Sequence, residues 1–295
     1  MTDSATPFGR LATAMVTPFA ADGRLNLAEA ARLAVYLVDD QRNDALIVNG
    51  TTGEAPTTTD REKAALIETV RQAVGDKAKI VAGVGTFDTA HSVRLAQDAA
   101  SAGADGLLVV APYYSCPPQD ALAAYFRTVA DATDLPILIY DIPKRTGVAV
   151  DEATLIALAA HPNIVAVKDA KGSPTSSAAV MAETGLAYYA GDDAMLLPLL
   201  AVGGVGVVGT STHFTGARTR EVIDAFAAGD PATALRLYRQ LLPVYRGVFA
   251  TQGCVLVKAG LQARGFAAGG LRPPLLDASP TQAAAFVALL DATGL

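Results

Sequence analysis

The chain has 295 residues, 51% of them hydrophobic and 18% charged, with 26 Gly and 16 Pro, a composition that builds a large core and excludes a disordered chain. Its net charge of -6, without any cluster of Lys and Arg, excludes the electrostatic footprint of a nucleic-acid or anionic-membrane binder. No apolar run is long enough to cross a bilayer and Met1 to Arg10 lack the pattern of a secretory signal, so a cytoplasmic protein acting on small molecules is expected.

Taken in chain order, eight short β-rich apolar runs alternate with helix-patterned segments. The runs are 11–19, 45–50, 79–85, 106–114, 136–142, 164–170, 186–191 and 206–210. Segment 58–74 shows the helical signature: Thr59 or Asp60 can cap it, Glu62 adds early negative charge, and Ala65, Leu66, Thr69, Val70 and Ala73 form one apolar stripe before Gly75. Segments 89–102, closed by Gly103, and 119–132, after Pro117-Pro118, read the same way. A unit recurs about every 28 residues, the length of a strand, a helix and two short loops. Eight such units predict an α/β fold, a closed (β/α)8 TIM barrel rather than an open doubly wound sheet. From Pro231 the pattern is wholly helical, over 232–249, 255–265 and 280–291. The expected organisation is a catalytic barrel over 1–230 and a helical extension over 231–295 packed on it.

Cys116 and Cys254 are far apart, and His91, His161 and His213 are scattered, so neither a disulfide framework nor a metal site is expected. Gly204-Val205-Gly206-Val207-Val208-Gly209 matches the dinucleotide fingerprint. It leaves a helical run and forms strand eight itself, however, so no cofactor is expected from it.

Barrel active sites gather at the C-terminal ends of the strands. Strand six ends in Lys168, within Ile164-Val165-Ala166-Val167-Lys168-Asp169-Ala170. Burial there lowers an amine's pKa and frees it to attack a carbonyl, the alternative being an ion-paired lysine at a strand end. Strand five ends in Tyr140, 28 positions earlier, which puts a phenol beside that amine on the adjacent strand. Gly50-Thr51-Thr52-Gly53 offers hydroxyls and small-residue amides suited to a carboxylate, or forms a simple turn. Arg145 follows strand five and can hold a second carboxylate. Asp192-Asp193 read as a helix cap.

Assembled, these motifs resemble the dihydrodipicolinate synthase and N-acetylneuraminate lyase superfamily of class I aldolases, over essentially the whole chain. The resemblance rests on Gly50-Thr51-Thr52-Gly53-Glu54, Pro112-Tyr113-Tyr114, Tyr140-Asp141-Ile142-Pro143, Val167-Lys168-Asp169 and Gly191-Asp192-Asp193, in family order. The Thr51-Thr52 pair, and Arg145 in its Arg-Thr-Gly context, are most similar to the synthase branch. That branch condenses pyruvate with aspartate semialdehyde on the lysine and diaminopimelate pathway. The resemblance implies that Lys168 forms a Schiff base with pyruvate and that Tyr140 donates and accepts protons. It further implies that Thr51 and Tyr114 complete a proton relay, Tyr114 entering a neighbouring subunit. Thr52 and the backbone at Val208 would hold the pyruvate carboxylate and neighbouring atoms, Gly191 would shape the pocket, and Arg145 would take the aldehyde's carboxylate. A homotetramer built from tight dimers is implied.

Ala55, Cys116 and Gly209-Thr210-Ser211-Thr212-His213 depart from the family pattern and bear on the second substrate. The alternatives are an aldolase for another aldehyde, a sugar-acid or sialic-acid lyase, or a silent keto-acid-binding barrel. The positions matching the family's lysine-feedback site are Ala55, Pro56, Lys63, Phe87, His91 and Tyr113, a set that implies weak or absent inhibition by lysine.

Overall fold

Eight parallel strands close on themselves in sequence order. They are β1 (Leu11–Ala14), β2 (Ala45–Val48), β3 (Lys79–Gly83), β4 (Gly106–Val110), β5 (Ile137–Asp141), β6 (Ile164–Asp169), β7 (Ala187–Ala190) and β8 (Gly206–Gly209), which returns to pair with β1. The computed structural model describes residues 6–295. The barrel helices are α1 (Leu27–Asp39), α2 (Asp60–Val74), α3 (Thr89–Ser101), α4 (Gln119–Ala130), the single turn α5 (Pro143–Thr146), α6 (Glu152–Leu158), α7 (Pro174–Glu183), α8 (Leu196–Ala201) and α9 (Thr212–Ala227). Helices α10 (Pro231–Gly247), α11 (Gly253–Ala263) and α12 (Pro280–Ala292) follow. No described helix is long and apolar enough to cross a membrane.

Several ladders are shorter than the apolar runs that predict them: the run over 11–19 pairs only to Ala14, and that over 106–114 only to Val110. Beyond those points the chain leaves its neighbours at the rim but stays covered, as the buried Met15 and Val16 show, so apolar character continues where pairing stops. Of the two candidate caps for α2, Thr59 serves. Its hydroxyl accepts from the Glu62 amide at 3.3 Å while the Glu62 carboxylate accepts from the Thr59 amide at 2.8 Å.

Strand alternation divides the core in two. Ala12, Ile47, Val81, Leu108, Leu138, Ala166 and Val208 point inward and fill the barrel, while their sequence neighbours pack beneath the helices. Phe8 and Tyr189 close the N-terminal end, their ring centroids 6.4 Å apart and the Tyr189 hydroxyl donating to Gly9 O at 2.8 Å. The glycine-rich run ending β8 has a packing explanation: a Cβ on Gly206 would lie 1.8 Å from Arg10 O.

Helices α10 to α12 share this core. Tyr245 meets the Thr219 hydroxyl at 2.9 Å, Tyr238 donates to Ala194 O at 2.6 Å, and Phe286 packs edge-on against Phe214. The deepest tie is ionic. Lys258 Nζ on α11 lies 2.6 Å from Glu54 Oε1, each side chain 1% exposed. The ammonium also donates to Gly270 O at 2.8 Å and sits over the Phe19 ring. The other Glu54 oxygen accepts from the Arg272 amide at 2.9 Å. Glu54 closes the 50–54 loop with a left-handed φ of 58°, so that loop is fixed from the helical extension. Removing one member of a buried pair strands the other charge. Lys258→Met is therefore expected to cost about 3–5 kcal/mol in urea unfolding, with part of the loss regained in the Glu54→Gln/Lys258→Met double variant.

Candidate active site

Alternation in β5 and β6 turns Tyr140 and Lys168 into the barrel mouth, and the strand register pairs the two residues directly. Lys168 Nζ stands 4.1 Å from the centre of the Tyr140 ring. Their neighbours face outward. Asp141 pairs with Lys171 at 3.1 Å, and Asp169 accepts from the Lys171 amide and the Ser177 hydroxyl. Above the lysine opens a cavity of about 740 Å³ that Thr51, Thr52, Tyr140, Arg145, Lys168 and Gly191 help to line.

Lys168 is 4% exposed, and among the described residues no carboxylate pairs with it. Burial brings its amine down to about 7; the Asp193 carboxylate opposes this and the Arg145 charge adds to it. The same burial pushes the Tyr140 phenol up to about 12, moderated by Arg145 and the Thr51 hydroxyl. Near neutral pH the site thus holds a substantially free amine beside a phenol that keeps its proton. Thr52 and Thr210 bring their hydroxyls to 3.4 Å, and Thr17 donates to Gly53 O at 2.7 Å, bracing the 50–53 turn. At Gly191 a Cβ would lie 3.0 Å from both Ala170 Cβ and Asp169 O, so a side chain on this wall would have to push its neighbours aside by a few tenths of an ångström.

Two expected residues are not among those lining the cavity. Val208, expected to act through its backbone, has its side chain buried in the barrel interior and pairs with Ala12. Tyr114 is 94% exposed on the loop after β4, with φ of 77°, and does not reach the cavity within one chain.

The expected Asp192-Asp193 cap needs correction. Asp192 caps, accepting from the Ala194 amide at 2.9 Å. Asp193 instead turns inward against the end of β8, where it takes the amides of Thr210 (3.0 Å) and Ser211 (2.9 Å) and the Ser211 hydroxyl (2.5 Å). The atypical 209–213 run is therefore pinned where the chain passes from β8 into α9. His213 is also buried there, its Nδ1 donating to Thr210 O at 2.8 Å and its Nε2 accepting from the Val16 amide at 3.2 Å. Burial holds that imidazole down to about 4.

Sequence reasoning missed the far wall. Tyr245, Arg246 and Phe249 of the α10 region and Gln252 before α11 line the same cavity. The Arg145 guanidinium donates to Gln252 Oε1 at 2.7 Å across 107 residues of sequence, a separation at which no local pattern signals contact. Lys258 did carry a signal, a cation inside the apolar run Cys254-Val255-Leu256-Val257 and Ala259. No group of three His, Cys, Asp or Glu side chains that could hold a metal ion occurs among the described residues.

The model of the Dihydrodipicolinate synthetase family matches residues 7–293. The chain belongs to the dihydrodipicolinate synthetase family. It is similar to the 4-hydroxy-tetrahydrodipicolinate synthase of Cutibacterium acnes, with 59% identity over 292 residues that cover 99% of this chain and 100% of the relative. That of Mycolicibacterium paratuberculosis is 50% identical, covering 99% and 97%. Among solved structures of the dihydrodipicolinate synthetase family, the enzyme of Cyanidioschyzon merolae with lysine bound superposes with a TM-score of 0.96 at 38% identity, covering 98% and 99%. The chloride-inhibited enzyme of Acinetobacter baumannii complexed with pyruvate gives 0.93 at 30%, also covering 98% and 99%.

Because burial sets the amine, labelling of Lys168 by a small amine-directed reagent is expected to rise with pH through a midpoint of about 7. Asp193→Asn removes a charge that favours the ammonium and moves the midpoint lower. Mass-spectrometric quantification checks this; a midpoint near the ordinary lysine value of about 10 would contradict the assignment.

Proposed function

We propose that the chain condenses pyruvate with L-aspartate 4-semialdehyde, the reaction of 4-hydroxy-tetrahydrodipicolinate synthase in lysine and diaminopimelate biosynthesis, and that it works in the cytoplasm. The observation carrying this reading is the buried, uncompensated Lys168 amine held against the Tyr140 ring. The free amine attacks the keto carbon of pyruvate; Tyr140 supplies the proton with which water leaves the carbinolamine, and a Schiff base remains. As an electron sink the protonated imine permits loss of a methyl proton. The resulting enamine attacks the aldehyde carbon. Thr52 and the backbone at Val208 receive the pyruvate carboxylate, Gly191 leaves room for it, and Arg145 at the mouth receives the carboxylate of the aldehyde substrate.

The proton path runs from Tyr140 through Thr51 to Tyr114 of a second copy. Exposure of a large aromatic in the left-handed region supports that role, since both cost free energy that a partner subunit can recover. A smaller pocket of about 200 Å³, shared by Thr51, Tyr113 and Tyr140, opens beside the main cavity and gives a visiting phenol a place to enter. The assembly is a tetramer made of two tight dimers.

Borohydride reduction in the presence of pyruvate is expected to leave a stable adduct on Lys168, located by mass spectrometry, and Lys168→Ala to abolish it. An unmodified Lys168 in the reduced wild type would defeat the reading. Tyr140→Phe is expected to lower kcat by about 10²-fold or more.

Inhibition by lysine is expected to be weak or absent. Lys63 Nζ is already bound to Ala55 O at 2.9 Å and to Thr58 O and Oγ1, placing a cation where a second one would be repelled. Phe87, packed edge-on against Tyr113, offers no polar amide. Half-inhibition at micromolar lysine in a steady-state assay would overturn this.

A further inference from the structure

The mouth of the cavity is cationic: Lys144, Arg145 and Arg246 line it, and Asp192 is the one carboxylate among the lining residues. Arg145 sits on the single turn α5, exposed to solvent, where a long side chain is costly to order. Its recorded side-chain hydrogen bond is to Gln252 Oε1 at 2.7 Å. Gln252 occupies the cap position of α11 yet makes no capping bond, a position where Ser, Thr, Asn or Asp would cap better. Its amide oxygen is committed to Arg145 instead. The helix behind it is tied to the 50–54 loop by the buried Lys258–Glu54 pair six residues on, so Gln252 projects from an anchored element.

We propose that Gln252 is a positioning residue for the second substrate, a neutral acceptor that orients Arg145 without cancelling its charge. An apolar residue there releases the guanidinium. A carboxylate holds it but competes with the substrate's own carboxylate for the same donors. The neutral amide meets both demands, and the extension thereby takes part in choosing an anionic aldehyde. This rests on the function proposed above.

The test uses the full chain and its Gln252→Met, Gln252→Glu and Arg246→Met variants, with pyruvate and aspartate semialdehyde as substrates. Gln252→Met is expected to raise the KM for the aldehyde about tenfold, the scale of one hydrogen bond to a charged group, with the pyruvate KM and the borohydride-trapped Lys168 adduct unchanged. Gln252→Glu is expected to raise it further, which a merely structural brace would not do because the acceptor is retained. Arg246→Met is expected to have the smaller effect. A wild-type aldehyde KM in Gln252→Met, wild-type behaviour of Gln252→Glu, an equal rise in the pyruvate KM, or a larger effect of Arg246→Met would each overturn the inference. Failure of the wild type to form the pyruvate adduct would instead overturn the underlying function.

Discussion

An amine attacks a carbonyl only while its lone pair is free, and an ordinary lysine near neutral pH is almost entirely protonated. The barrel answers this constraint by burying Lys168: packed layers lie beneath it, an aromatic face lies beside it, and no carboxylate pairs with it among the described residues. The same burial keeps the proton on Tyr140. One environment thus prepares two groups in opposite senses, the amine losing its proton readily and the phenol holding its own. Asp193 tempers the first effect from behind while its own bonds hold the loop after β8.

The helices after the barrel bear on that site at two depths. Low in the mouth, Lys258 reaches the last residue of the 50–54 loop, and so the threonine pair that faces the lysine is placed by a helix distant in sequence. Higher up, Gln252 meets Arg145. Barrel and extension are therefore joined at the cavity itself as well as through the core.

What was legible in the chain follows from how far each signal travels. The inward pairing of Tyr140 with Lys168 could be read from two local runs, because alternation within a strand and parallel order between neighbours are short-range rules. Thr51 and Thr52 are legible from a local motif instead, two hydroxyls between glycines just past the second strand run. The direction of Asp193 was not, since Asp192-Asp193 reads as a cap until the end of β8 is brought against it. Gln252 was invisible, being unremarkable until the fold closes. Lys258 stood in the middle, flagged by the same incongruity that marked Lys168, a cation inside an apolar run, yet its partner could be named only from the folded chain. Strand lengths were overread because rim loops are as apolar as the ladders they extend.

Phe8 and Tyr189 seal one end of the barrel. The cavity above Lys168 is consequently a well closed at its floor. Whatever reaches the amine enters and leaves on the side of the strands' C-terminal ends, where loops after β2 and β5 and residues of the helical extension form the walls.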